Sequence, residues 1–98
     1  MERIQDGLFP LGEILATPGA LETLNVAGVE AQELLYRHRT GDWGDVDEHD
    51  VWENQLAVER GFRIMSAYPV EARGEEIRVW IITEADRYTT TLLLPEEY

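Results

Sequence analysis

The stretch GFRIMSAYPVEARGEEIRVWIITEAD, residues 61–86, is where the period of the chain changes. Up to Gly61 the apolar residues recur at helical spacing; after it they alternate. Phe62, Ile64, Ser66 and Tyr68 fall on one face, with Arg63, Met65 and Ala67 on the other. The second half repeats the pattern, setting Ile77, Val79, Ile81 and Thr83 against Arg78, Trp80, Ile82 and Glu84. A period of two sends successive side chains to opposite faces of a strand, so these are two strands, and EARGEE at 71–76 is the turn between them.

Working outward, RYTTTLLL at 87–94 is rich in β-branched and apolar residues and is stopped by Pro95, which makes it a third strand of a meander. LGEILA at 11–16 reads as a short strand before a helix that Thr17 caps and Pro18 opens, and NVAG at 25–28 ends that helix. VEAQELLYRHR at 29–39 is a second helix. Ala31, Leu34, Leu35 and His38 share its apolar side, acids stand near its start, and Arg37 and Arg39 near its end suit the macrodipole. Asp47 caps a third helix, EHDVWENQLAVER, whose mostly apolar side holds Val51, Trp52, Gln55, Leu56 and Val58 or Glu59, with Gly61 just past its end. Helices first and antiparallel strands last predict one α+β domain: two or three helices packed on one face of a three- or four-stranded, mainly antiparallel sheet.

Ninety-eight residues, 44% of them hydrophobic, suit a single core. With no cysteine, disulfides, thiolate metal sites and thiol nucleophiles are excluded. The acidic, proline-containing start and the absence of a long apolar run lead us to expect a cytoplasmic protein without membrane contact. Twenty acidic residues against eight basic ones, all arginine, give a formal charge of -12. That charge repels phosphate backbones and disfavours direct nucleic-acid binding, while favouring a cationic partner.

The acids concentrate in RHRTGDWGDVDEHD, residues 37–50, and just beyond: Asp42, Asp45, Asp47, Glu48, Asp50 and Glu53 surround Trp43 with no basic arginine or lysine among them. A calcium loop does not fit. Counted from Asp42, the third and fifth positions are Gly44 and Val46, and Asp47 stands where glycine is needed; counted from Asp45, the twelfth position is Leu56. No metal and no cofactor is expected. One reading uses these acids locally, as loop and helix caps with Trp43 folded into the core; the other leaves them as a surface that binds a basic partner, with Trp43 as an anchor. The C-terminal Glu96, Glu97 and Tyr98 form a second candidate contact, able either to dock on a basic pocket or to pack back on the domain. A catalytic alternative groups His38, Asp42, Asn54 and Arg87, near Glu84, Asp86 and Thr89, with a histidine beside a carboxylate as acid or base and an arginine for an anionic group.

The segments RHRTGDWGD, ITEADR, TTLLLPEEY, LGEILATPGAL and ENQLAVERGFRIMSAY, covering nearly the whole chain, resemble a family of small bacterial proteins carried on plasmids and integrative elements. Its members are called plasmid-related proteins, and some carry the label of a type I restriction endonuclease subunit M. No methyltransferase motif is present here, so that label does not carry over. Residence on a mobile element implies a role against host defence or in maintenance of the element. The expectation is therefore a non-enzymatic acidic binding protein that occupies the cationic surface of a nucleic-acid-handling host protein, as an anti-CRISPR or anti-restriction DNA mimic. The alternatives are a small enzyme using His38, Asp42 and Arg87, or a housekeeping scaffold that dimerises through a sheet edge; monomer and homodimer both remain open.

Overall fold

A computed structural model describes residues 7–98; the first six, part of the acidic start on which the expected cytoplasmic location rests, lie outside the described residues. The order is β1 (Glu13–Ala16), α1 (Pro18–Ala27), α2 (Ala31–Arg39), α3 (Glu48–Arg60), β2 (Ile64–Ala72), β3 (Glu75–Thr83) and β4 (Thr89–Leu93), followed by a short 3-10 turn at Pro95–Glu97. The fold is α+β, with three helices and a four-stranded sheet in the order β1-β4-β3-β2. β2, β3 and β4 form the antiparallel meander, while β1 returns parallel to β4, with Glu13 beside Thr89 and Ala16 beside Leu92.

The helix ends follow their residues. Thr17 accepts a hydrogen bond from the Ala20 amide, Asp47 accepts one from the Asp50 amide, and Gly28 and Gly61 close α1 and α3 in the left-handed conformation. α2 starts two residues later than the pattern predicts, with Glu30 at its cap position. The hairpin turn is also tighter than EARGEE: Arg73 and Gly74 both have positive φ, 54° and 77°, the geometry of a two-residue turn matched to strand twist. Phe62 precedes β2 and is exposed, so it does not share the inner face with Ile64.

Ser66, Tyr68, Val70, Val79, Ile81 and Leu92 are buried, and the main core joins the last five of these to Ala20, Leu24 and Leu34 of α1 and α2. A second cluster, Phe9, Trp43, Ala57 and Ile64, ties the 41–46 loop and α3 to the start of β2. On α3 the buried residues are Asn54 and Ala57, with Val51 and Val58 partly covered. Trp52 is 56% exposed, against the expectation from sequence, because it lies about 100° around the helix from Val51.

The outer edge of β2 is closed at three successive outward-facing positions. The Asn54 side chain donates to the Met65 carbonyl at 2.8 Å and accepts from the Met65 amide at 3.2 Å, as a neighbouring strand would. At Ala67 the loop takes over: the Ala67 amide donates to the Trp43 carbonyl at 3.1 Å, and the Asp45 amide donates to the Ala67 carbonyl at 2.7 Å. At Pro69 there is no amide hydrogen to pair. Asn54→Leu, which keeps the branched shape and removes both bonds at Met65, is expected to cost about 1–3 kcal/mol in urea unfolding. A change within experimental error would show that water replaces the side chain without loss.

Candidate functional site

The acidic loop is largely used by the protein itself. Asp42 takes two hydrogen bonds from Arg37, at 2.7 and 3.3 Å, and one from the Gly44 amide, and the Arg37 pair holds its carboxyl below the usual carboxylate range. Its backbone carbonyl accepts from the Tyr68 hydroxyl at 2.7 Å, and burial raises that phenol to about 12. Arg37 also lies over the Tyr68 ring, 4.7 Å from its centroid. Asp45 pairs with Arg78, and Asp47 is the helix cap. Trp43 is 5% exposed, stacked near Phe9 and edge-on to His38, so it is a core residue and offers no surface contact.

Other acids of the segment remain outside such pairs. Glu48, Asp50 and Glu53 are exposed and form no ion pair with an arginine among the described residues; Glu53 has His49 at 3.3 Å, one helical turn away. Glu48 and Glu59 stand four residues before and seven after Trp52, on the same side of α3, and Glu53 flanks it. The His49 ring lies 6.3 Å from that indole. Sequence reading placed Trp52 in the core, yet it is the aromatic that the acidic helix presents to solvent. On the other side of α3, Asp45, Asp47 and Asp50 rim a hollow of about 500 Å³ with Met65, Arg78 and Trp80. Tyr98 meets Trp80 edge-on at 5.8 Å, which brings the C-terminus next to the acidic segment.

That C-terminus packs back on the domain. Glu97 accepts from the Thr17 hydroxyl and from the Gly19 and Leu94 amides, which lower its pKa and cap α1 with a carboxylate. The Tyr98 hydroxyl accepts from Arg63 at 2.6 Å, and its ring remains 71% exposed. Glu96 is exposed beside them.

Among the described residues, the side chains of the catalytic alternative are each held by separate partners. Asp42 is held by Arg37 and Asn54 by Met65. Arg87 donates to the carbonyls of Ala57, Phe62, Glu84 and Ala85, so it clamps the end of α3 onto the β3–β4 turn instead of facing an open anion site. Glu84 pairs with Arg63, and Asp86 accepts from the Tyr88 amide. His38 is fully buried, hydrogen bonded to Ser66 at 2.6 Å through Nδ1 and to Thr83 at 2.9 Å through Nε2.

His38 belongs to a chain of polar groups across the core, and proton counting orients the whole of it. The Leu11 carbonyl can only accept, so Thr90 donates to it at 2.7 Å. Thr90 has no second proton; Thr83 therefore donates to Thr90, also at 2.7 Å. Thr83 then accepts from His38 Nε2–H, and His38 Nδ1 accepts from the Ser66 hydroxyl. Each proton is used once, and the histidine is the neutral Nε2–H tautomer. Burial, reinforced by the positive charge of Arg87, lowers its pKa to about 3. Ser66 and Thr83 are polar interruptions on the inner faces of two apolar strands, and with His38 on an apolar helix face they were the signal that this network left in the sequence.

Among the described residues, no buried side-chain nitrogen or oxygen lacks a hydrogen-bond partner, and no three His, Asp or Glu side chains converge on a point that would hold a metal. No helix among them is long and apolar enough to cross a membrane. No protein-family model, curated protein or solved structure matches the chain.

Proposed function

We propose that this chain is a non-enzymatic binding protein that docks the exposed face of α3 onto a basic protein surface. The observation that carries the reading is Trp52, 56% exposed on α3 with Glu48 and Glu59 on its side of the helix and Glu53 next to it in sequence. An indole flanked by carboxylates suits arginine and lysine side chains, which the ring attracts through its face while the acids supply charge. The surplus of -12 adds long-range attraction and a fast encounter. A partner whose basic surface normally binds phosphates fits this chemistry. The resemblance to plasmid-borne and integrative-element proteins makes a restriction or CRISPR nucleic-acid-handling protein the partner class, with the acidic face in the place of DNA. The location consistent with such a partner is the cytoplasm.

An oligo-arginine peptide is the simplest probe. Binding followed by tryptophan fluorescence is expected to weaken steeply as salt rises, and Trp52→Ala is expected to weaken it at least about tenfold, with urea stability within about 0.5 kcal/mol of the parent. Glu48→Gln with Glu53→Gln and Glu59→Gln is expected to act in the same direction. Unchanged affinity in both variants would remove α3 as the docking face. Capture from host lysate at two salt concentrations, recovering a nucleic-acid-binding protein only at the lower, would then identify the partner.

A further inference from the structure

The two edges of the sheet are treated differently. β2 is closed by Asn54, the 43–45 loop and Pro69, whereas β1, at the other end, faces outward. The Glu13 and Thr17 amides donate to the Tyr88 and Leu92 carbonyls of the β4 side, so the alternating backbone turns Ile14 and Ala16 away from β4. No described residue pairs with their amides or carbonyls. Ile14 is 44% and Leu15 42% exposed. Beside the edge, on the helix face, lies a groove of about 390 Å³ lined by Leu11, Ile14, Leu35 and Tyr36, with Gln32 and Arg39 at its polar side. An outward row of backbone donors and acceptors next to an apolar groove is filled by another extended strand, whose alternate side chains enter the groove.

We propose that the occupant is β1 of a second copy of this chain, paired antiparallel about a two-fold axis at Leu15. The strand is complementary to itself in this register alone. Ile14 of each copy exchanges both hydrogen bonds with Ala16 of the other, so on the helix face a large side chain meets a small one beside the groove. On the opposite face Leu15 meets Leu15. Glu13, the one acid of the strand, lies opposite Thr17 of the other copy and well away from the other Glu13. Moving the axis to Ile14 sets Leu15 against Glu13; moving it to Ala16 sets Ile14 against Pro18, which has no amide hydrogen. The pairing joins two four-stranded sheets into one of eight strands. It leaves the exposed face of α3 out of the contact, so it stands independently of the basic-partner reading.

Charge gives the two associations opposite salt responses. Two copies at -12 repel, and screening relieves that repulsion, so self-association strengthens with salt while binding to a basic partner weakens. Sedimentation equilibrium of the full chain is expected to show dimers whose dissociation constant falls between about 0.05 and about 0.5 M sodium chloride. The chain has no cysteine, so Leu15→Cys gives a single thiol. Directly opposed residues of a non-hydrogen-bonded antiparallel pair have Cα atoms about 4.5 Å apart, within disulfide range, and this variant is expected to oxidise to a covalent dimer while Glu13→Cys does not. Ile14→Pro removes an outward amide hydrogen without touching the bonds to β4, and is expected to abolish the dimer with the circular dichroism spectrum retained. Monomer at both salt concentrations, a dimer unaffected by Ile14→Pro, or cross-linking through Glu13→Cys in place of Leu15→Cys would each overturn the proposal. So would binding of an oligo-arginine peptide that Ile14→Pro alone abolishes, since the edge would then belong to a basic strand.

Discussion

Gly44→Ala is expected to destabilise the protein by about 2–5 kcal/mol, lowering the thermal midpoint by about 8 °C or more for a domain of this size. Gly44 has φ of 79°, and a Cβ there would run into the Ala67 carbonyl oxygen and come within 2.7 and 2.9 Å of Tyr68 ring carbons. Left-handed backbone costs an alanine roughly 1–2 kcal/mol, and the clash adds about 1–3 kcal/mol because neither neighbour is free to move. Ala67 is bonded to the loop on both sides of Gly44, and the Tyr68 hydroxyl is bonded to Asp42. Gly61→Ala is the control: its φ is also 79°, but nothing lies within 4 Å of the added atom. It should cost only the backbone component. Equal losses in the two variants, measured by urea unfolding, would show that the close approach of the loop to β2 is not what requires glycine at position 44.

Stability is expected to fall as the pH drops from about 6.5 toward 3, with a slope approaching about 1.4 kcal/mol per pH unit from His38 alone. The sign follows from the pKa. His38 is held neutral in the fold with a pKa near 3, whereas the unfolded chain takes up a proton at about 6.5. The stabilisation is complete above the unfolded value and is lost progressively as the pH falls to the folded one. Asp42 and Glu97, whose carboxyls are lowered in the fold, lose their contributions only below the ordinary carboxylate range, so the window between about pH 6 and 5 belongs to the histidine. His38→Gln, which does not titrate, should flatten the curve in that window whatever it does to stability at neutral pH. Ser66→Ala removes the donor to Nδ1 and should cost about 1–3 kcal/mol at pH 7 while raising the His38 pKa, since the neutral ring loses the bond that favours it. Urea midpoints across the pH range read all three. A His38→Gln variant with the parent slope would place the titration elsewhere.

How much of this was legible in the sequence depended on how local the cause was. Thr17, Pro18, Asp47 and Gly61 act within one turn of their own helix, and each sits where its residue type predicts. The alternation after Gly61 likewise needs no distant partner, and it placed β2 and β3 on the correct faces. What required the folded chain was long-range. The parallel pairing of β1 with β4 joins residues near opposite ends, and nothing in GEILA marks its partner. The sequence left Asp42 and Asp45 open between local use and a binding surface; Arg37, the partner of Asp42, is near in sequence, but only the fold brings Arg78 to Asp45. The burial of Trp43, one of its two sequence readings, and the exposure of Trp52, against its reading, have a related cause. The loop's two bonds to Ala67 draw Trp43 inward, and Asn54 at the edge of β2 fixes the rotation of α3, which turns Trp52 out. Periodicity could not foresee a polar residue setting the face of a helix.

The closure of one sheet edge also limits how large an assembly can grow. A pair joined through β1 would present at its ends two β2 strands closed at Met65 and Ala67 and without an amide hydrogen at Pro69, a poor template for a third molecule. Such a pairing would favour assemblies of two over open-ended stacking of sheets into fibrils.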